Sequence, residues 1–223
     1  MINTQLTLPS LSQTMDKKLA ISIVGNLSKP SKMPCYGFSI PAKYCKTGQK
    51  LRKVPGSVCS KCYALKGRYR FTHVQNALER RFAGMSNPRW AEAMAFLVGK
   101  MEKSGYFRFF DSGDLADVDS LDKIVKVCRL NPGISFWLPT REYSIVASWV
   151  SANGAFPSNL TVRLSSMMLN GAPPVSIAAR LGVHTSSVMT EDFTCPAPKQ
   201  GGKCGDCRAC WDKAVANVGY KKH

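Results

Sequence analysis

Acidic residues are scarce in this 223-residue chain: 14 Asp and Glu stand against 31 Lys and Arg, a net charge of +17. An excess of that size costs stability by self-repulsion and is usually kept for a polyanion, which makes nucleic acid the expected partner. Long apolar runs are missing too, and their absence excludes a bilayer-spanning helix. No basic, then apolar, then small-residue leader opens the chain, and Met1–Asp16 is polar and turn-rich. The expectation is a cytoplasmic protein with reduced cysteines, since 223 residues at 44% hydrophobic content build a core without covalent staples. Internal repeats, low-complexity tracts and domain boundaries are absent as well, so one domain is expected. Histidine is sparse, and His73 and His184 show no ligand spacing; both read as structural.

Cysteine is what the chain has in pattern. Eight of its nine cysteines form two sets of four: Cys35, Cys45, Cys59 and Cys62, then Cys195, Cys204, Cys207 and Cys210. Four thiolates are what a tetrahedral zinc or an iron–sulfur cubane takes. The second set repeats cysteine at every third residue from Cys204 to Cys210, with Cys195-Pro196 upstream. Structural zinc usually sits between two close pairs, whereas successive x2 intervals wrap a loop around a cluster corner, so a [4Fe-4S] cluster is the leading reading and zinc the alternative metal. Gly201, Gly202 and Gly205 let the backbone approach inorganic sulfide. The first set is irregular, with only Cys59-Ser-Lys-Cys62 tight, so all four thiols need not bind one metal. Three ligands and one open coordination position would place chemistry there. Cys128, in an apolar run, reads as a small buried hydrophobe.

The cations concentrate around the first cysteines: Lys43, Lys46, Lys50, Arg52, Lys53, Lys61, Lys66, Arg68 and Arg70, interleaved with Tyr36, Tyr44, Tyr63, Tyr69 and Phe71. Cations track phosphates and aromatic faces stack on unpaired bases, so the mixture suits single-stranded or distorted nucleic acid. A solvated basic face is the bland alternative.

Between the cysteine sets, strand and helix patterns alternate. Strands are expected at Leu19–Val24, Tyr106–Phe110, Ile134–Leu138, Leu160–Leu164 and Val183–Val188. Helices are expected over Tyr63–Met85, from Pro88 to Lys103, and at Ser120–Leu130, Tyr143–Ala152 and Val175–Arg180. This rhythm implies right-handed crossovers and an α/β fold, either a partial (β/α) barrel or an open parallel sheet, with two four-cysteine metal sites near the strand C-terminal rim. The expected organisation is a polar segment at 1–17, one metal-binding domain at 18–212 and a basic tail at 213–223. Function gathers at strand carboxyl ends in such sheets, which singles out Asp111 and Asp114 as acid/base or orienting groups and Arg141 as a carboxylate or phosphate clamp. A turn or cap is the plainer role for Asp114, and a surface ion pair the plainer role for Arg141.

Met33-Pro-Cys35, Gly56-Ser-Val-Cys59-x2-Cys62-Tyr-Ala64, Arg108-x2-Asp111-Ser-Gly-Asp114, Thr140-Arg141 and Cys195-Pro through Cys204-x2-Cys207-x2-Cys210-Trp211 occur in that order. Together they resemble the bacteriophage gene-product-88 family over about residues 20–211. The resemblance implies a phage-encoded protein of the infected host's cytoplasm with a partial-barrel core like that of radical S-adenosylmethionine enzymes. That superfamily holds its cluster with C-x3-C-x2-C. Here Cys59 and Cys62 match the last pair, Pro55 stands at the first position, and Cys35 or Cys45 would supply the third thiol. Two functions follow. One is an iron–sulfur enzyme, with S-adenosylmethionine as a possible co-substrate and an electron donor as partner, modifying nucleic acid or nucleotide. The other is a basic nucleic-acid-binding module with structural metals.

Overall fold

The computed structural model describes residues 14–222. Six strands form one sheet: β1 (Tyr36–Phe38), β2 (Tyr106–Phe109), β3 (Ser135–Thr140), β4 (Leu160–Ser165), β5 (His184–Met189) and β6 (Asn217–Lys221). All pairings are parallel, and each strand lies beside its neighbour in sequence. Right-handed crossovers that always step the same way leave their helices on one face. The crossover helices are α3 (Thr72–Gly84), α4 (Trp90–Met101), α5 (Val118–Leu130), α6 (Tyr143–Asn153) and α7 (Val175–Arg180); α1 (Lys17–Val24) precedes the sheet and packs into the same core, and short α2 (Lys46–Leu51) belongs to the loop after β1.

Alternation along the strands sends one side chain in two to that covered face. Phe38, Phe107, Phe109, Phe136, Leu138, Val162 and Leu164 enter the main core there, with Trp90, Leu121, Ile124 and Trp149 from the helices. Burying each of these side chains is worth roughly 1.5–3 kcal/mol. A capping box starts α5, where Asp117 accepts from Ser120 N at 2.7 Å and Asp117 N donates to Ser120 Oγ at 3.1 Å.

The opposite face carries Arg108, Trp137, Thr161, Arg163, Ser165, Ser186 and Tyr220. The connection from β5 to β6 has no α-helix among the described residues and lies on this face. Trp211, from that connection, meets Trp137 and Tyr106 and donates to Phe107 O at 2.8 Å.

Three expectations change. Leu19–Val24 is helical: Asp16 caps α1 by accepting from Leu19 N at 2.7 Å, Gly25 ends it in the left-handed region, and Ala20, Ile23 and Val24 form its buried face. The first strand is instead Tyr36–Phe38. The helix expected over Tyr63–Met85 begins at Thr72, because 63–70 is bent into two 3-10 turns whose Tyr63 and Tyr69 hydroxyls are both tied to Asp111. Residues 217–221, placed by sequence in a tail, pair with β5 over five residues.

Candidate functional site: two thiol sets and a cavity

The structure brings Cys45, Cys59 and Cys62 together and keeps Cys35 away from them. Cys45 follows the carboxyl end of β1 and opens α2, while Cys59 lies in the 3-10 turn Val58–Lys61 and Cys62 caps its end. Cys45 feels both other thiols electrostatically. Gly48 of α2 packs tightly against this set: a Cβ there would lie 2.8 Å from Cys45 Cβ and 3.7 Å from Cys59 Sγ. Burial pushes the thiols of Cys45 and Cys59 up, with Arg141 opposing the rise at Cys59.

Cys35 stands at the other end of β1. It packs with Trp137 and Trp211, with Met33 and Cys210 beside them, and its electrostatic neighbours include Cys204 but none of the rim thiols. Burial, aided by Glu102, pushes its thiol up to about 12. The sequence grouping of Cys35 with Cys45, Cys59 and Cys62 is therefore replaced: Cys35 is a fifth thiol beside Cys195, Cys204, Cys207 and Cys210. The fifth-thiol group also does not sit on the carboxyl rim. Cys204 N donates to Lys32 O at 3.1 Å, and Arg208 lies over Tyr106, the first residue of β2. That set therefore lies toward the strand starts, because the β5–β6 connection folds under the sheet's open face.

Arg163 holds this connection in place, and sequence reasoning missed it. It is wholly buried, and all five of its N–H donors point at carbonyl oxygens: Nε at Cys210, one terminal nitrogen at Thr185 and Val215, the other at Ala209 and Asp212, at 2.7–3.1 Å. The only signal was a charged residue between Thr161 and Ser165 on the polar face of a strand that is buried on both faces. Cys210 Sγ is 3.2 Å from the Tyr220 hydroxyl, and burial pushes this thiol up to about 11.

The rim thiols border a cavity of about 410 Å³. The loop carrying them spans the rim and is fastened at three places. Glu142 accepts from Thr47 N and Thr47 Oγ1, both at 2.7 Å. Val58 N donates to Met167 O and Leu169 N to Gly56 O, both at 2.9 Å. Tyr69 donates to Asp111 Oδ2 at 2.9 Å, and Tyr63 to the Asp111 carbonyl.

All three residues singled out at strand ends line this cavity. Phe110, at φ 55°, turns the chain after β2 so that Asp111 meets the loop tyrosines; a buried Phe in that region stores on the order of 1–3 kcal/mol. Gly113 is required by a φ of 83° and by Ile40, whose Cγ1 would lie 2.3 Å from any Cβ. Asp114 accepts from Leu115 N (2.8 Å), Thr140 Oγ1 (2.6 Å) and Arg141 N (2.9 Å), and burial pushes its carboxyl up to about 6 against those bonds. Asp114 thus fixes the main chain at Arg141, while the Arg141 side chain is held by its Nε donating to Ser166 O at 2.9 Å. Arg108 stacks on Trp137 with its guanidinium carbon 4.4 Å from the ring centroid.

Along nearly its whole length the chain matches the family model described as gene product 88, over residues 9–213. The chain belongs to the gene product 88 family. No curated protein and no solved structure matches it.

In this gene product 88 member, no three Cys, His, Asp or Glu side chains among the described residues converge as ligands of one metal ion. The thiol sets are defined by adjacency. Thiols are the donors that iron–sulfur clusters and zinc take, and Cys45, Cys59 and Cys62 all line the cavity, so the donor chemistry of the rim residues fits such a group. Around the second set Gly201, Gly202 and Gly205 all take positive φ, and Arg208 donates to Gly205 O at 2.6 Å and Cys207 O at 2.9 Å, which fixes the loop between the thiols.

Proposed function

We propose that the chain is a phage iron–sulfur enzyme acting on a nucleotide or nucleic acid in the cytoplasm of the infected host. The observation that carries this reading is the parting of Cys35 from Cys45, Cys59 and Cys62, which leaves three thiols beside a cavity. Three thiolates would hold a [4Fe-4S] cluster with one iron open toward that cavity, and the second set would hold a fully ligated cluster. Such a group would supply electrons and an open coordination position, for which S-adenosylmethionine is the candidate co-substrate. The sheet would then be a partial barrel with its reactive centre at the carboxyl rim.

The chain's own residues supply the rest. Glu142, Asp111 and the Ser57–Met168 bridge keep the thiol loop over the rim, Asp114 holds the Arg141 main chain, and Ser166 O holds its guanidinium. The loop's nine Lys and Arg residues from Lys43 to Arg70 are all exposed, and only Lys43 is ion-paired among the described residues, with Glu79 at 2.6 Å. That exposed charge supports a polyanionic partner. It equally supports the second reading, a basic nucleic-acid module whose metals, zinc or iron–sulfur, are structural.

Iron, sulfide and zinc content of protein purified without oxygen separates the two. The enzyme reading expects a brown protein with about eight iron and eight sulfide. It also expects Cys45→Ala to lose about half of both. S-adenosylmethionine should perturb the paramagnetic spectrum of the reduced protein. A colourless protein with zinc and no sulfide, even from anaerobic iron-rich growth, leaves the binding module.

A further inference from the structure

Two arginines on the open face of the sheet are treated in opposite ways. Arg163 spends every donor on protein carbonyls. Arg108, on β2 beside Trp137 of β3, has its Nε sealed from solvent without any partner. One terminal nitrogen of Arg108 reaches Met33 Sδ at 3.4 Å and the other Phe110 O at 3.3 Å; the Tyr63 hydroxyl is a further hydrogen-bond partner, and the Asp111 carboxylate acts on the guanidinium electrostatically. Arg108 forms no ion pair among the described residues. Burying a guanidinium with so few bonds is costly unless an anion completes it.

The rest of the cavity points the same way. Arg141, Lys61, Lys221 and Lys222 line it with Arg108. Its two carboxylates are already engaged by the protein, Asp114 by three donors and Asp111 by Tyr69. Five cations against two carboxylates leave the charge lining the cavity net positive. A guanidinium fork matches a phosphate bidentately, and Tyr63 and Tyr220 put aromatic rings in the cavity lining. At about 410 Å³ the cavity lies in the size range of small-molecule sites.

We propose that this cavity is a nucleotide site in which Arg108, seconded by Arg141, anchors the phosphate. The proposal rests on reading the cavity as the substrate site and narrows the substrate to a phosphate-bearing nucleotide. A different task for Arg108 would be to offset the charge of Cys35, Cys204 and Cys210, whose thiols it favours in the ionised form.

Calorimetric titration of the anaerobically purified, metal-loaded protein with AMP and with adenosine tests it. AMP should bind at least tenfold tighter than adenosine, Arg108→Gln should abolish that preference, and Arg108→Lys should restore part of it. Tighter binding of AMP than of the diester ApA assigns the phosphate to a free nucleotide or strand terminus, and the reverse order to an internal position of a strand; both support the site. Equal affinity for AMP and adenosine, or no binding of either, overturns the proposal whether or not the variants fold. So does an Arg108→Gln protein that keeps the preference but loses iron, because Arg108 then serves the thiols alone. Iron assayed in the same samples keeps the two readings apart. Iron present without AMP selectivity sinks only the nucleotide site, and AMP selectivity in an iron-free protein sinks only the cluster.

Discussion

The Tyr220 hydroxyl lies 3.2 Å from Cys210 Sγ while its ring lines the cavity bordered by Cys45, Cys59 and Cys62. One side chain on β6 thus touches the buried thiol set and the wall of the rim cavity. Tyr220→Phe keeps the ring and deletes the bond. It should cost about 1 kcal/mol of stability in chemical unfolding. If the second set holds a cluster, its midpoint potential should become more negative, because a hydrogen bond to a ligating sulfur favours the reduced state. An unchanged potential would show that the Tyr220 bond does not act on the cluster.

Arg163 is the main organiser of the β5–β6 connection. Arg163→Met fills a similar volume but leaves five carbonyl oxygens without their donor, four of them in the β5–β6 connection, which has no α-helix among the described residues. Loss of at least ~3 kcal/mol is expected, read as the shift in unfolding free energy. Iron should fall at the second site before the first. A variant as stable as the parent would mean that water replaces all five bonds.

Asp114 gives stability a defined pH dependence. A carboxyl whose folded pKa lies above its unfolded value contributes stability that is complete below the unfolded pKa and lost as pH rises through the folded one. With the folded value raised to about 6 by burial, the window runs from about pH 4 to about pH 6. Relative to Asp114→Asn, the parent should lose on the order of 3 kcal/mol across that window, since the carboxamide does not titrate. Unfolding curves taken at several pH values check this, and a gap between the two proteins that is constant with pH contradicts it.

Glu142 is buried and both of its carboxylate oxygens hold Thr47, one through the backbone and one through the hydroxyl. Glu142→Gln turns one acceptor into a donor facing a donor. Stability should drop by about 1.5–3 kcal/mol. Metal should leave the rim set faster under a chelator, while the Cys195–Cys210 set is unaffected. Equal rates at both sets would show that the rim loop is not held through Thr47.

Strands β2 to β5 and the helices after them were legible in the sequence because apolar alternation and caps agree there. Leu19–Val24 misled because six mostly apolar residues suit a buried strand as well as a helix. Asp16 and Gly25, its actual boundaries, were in view. Tyr36–Phe38 is too short to show a period, and Asn217–Lys221 announces itself only through Val218 and Tyr220. The cysteine inventory was readable, but the partner of Cys35 was not. Chain spacing puts it nearest Cys45, whereas β1 separates the two by its whole length. Arg108 and Arg163 looked alike as lone cations in strands, and only the count of their bonded donors tells them apart.

A sheet whose strands pair in the order of synthesis can be lengthened one strand at a time as the chain emerges. Cys35 and the rim thiols leave the ribosome first and wait, whereas Cys195 to Cys210 come under the sheet only when Asn217–Lys221 adds its last edge. If both sets take metal as proposed, their loading has an inherent order: the rim thiols are in place before Asn217–Lys221 pairs with β5, and the second set is enclosed only after it.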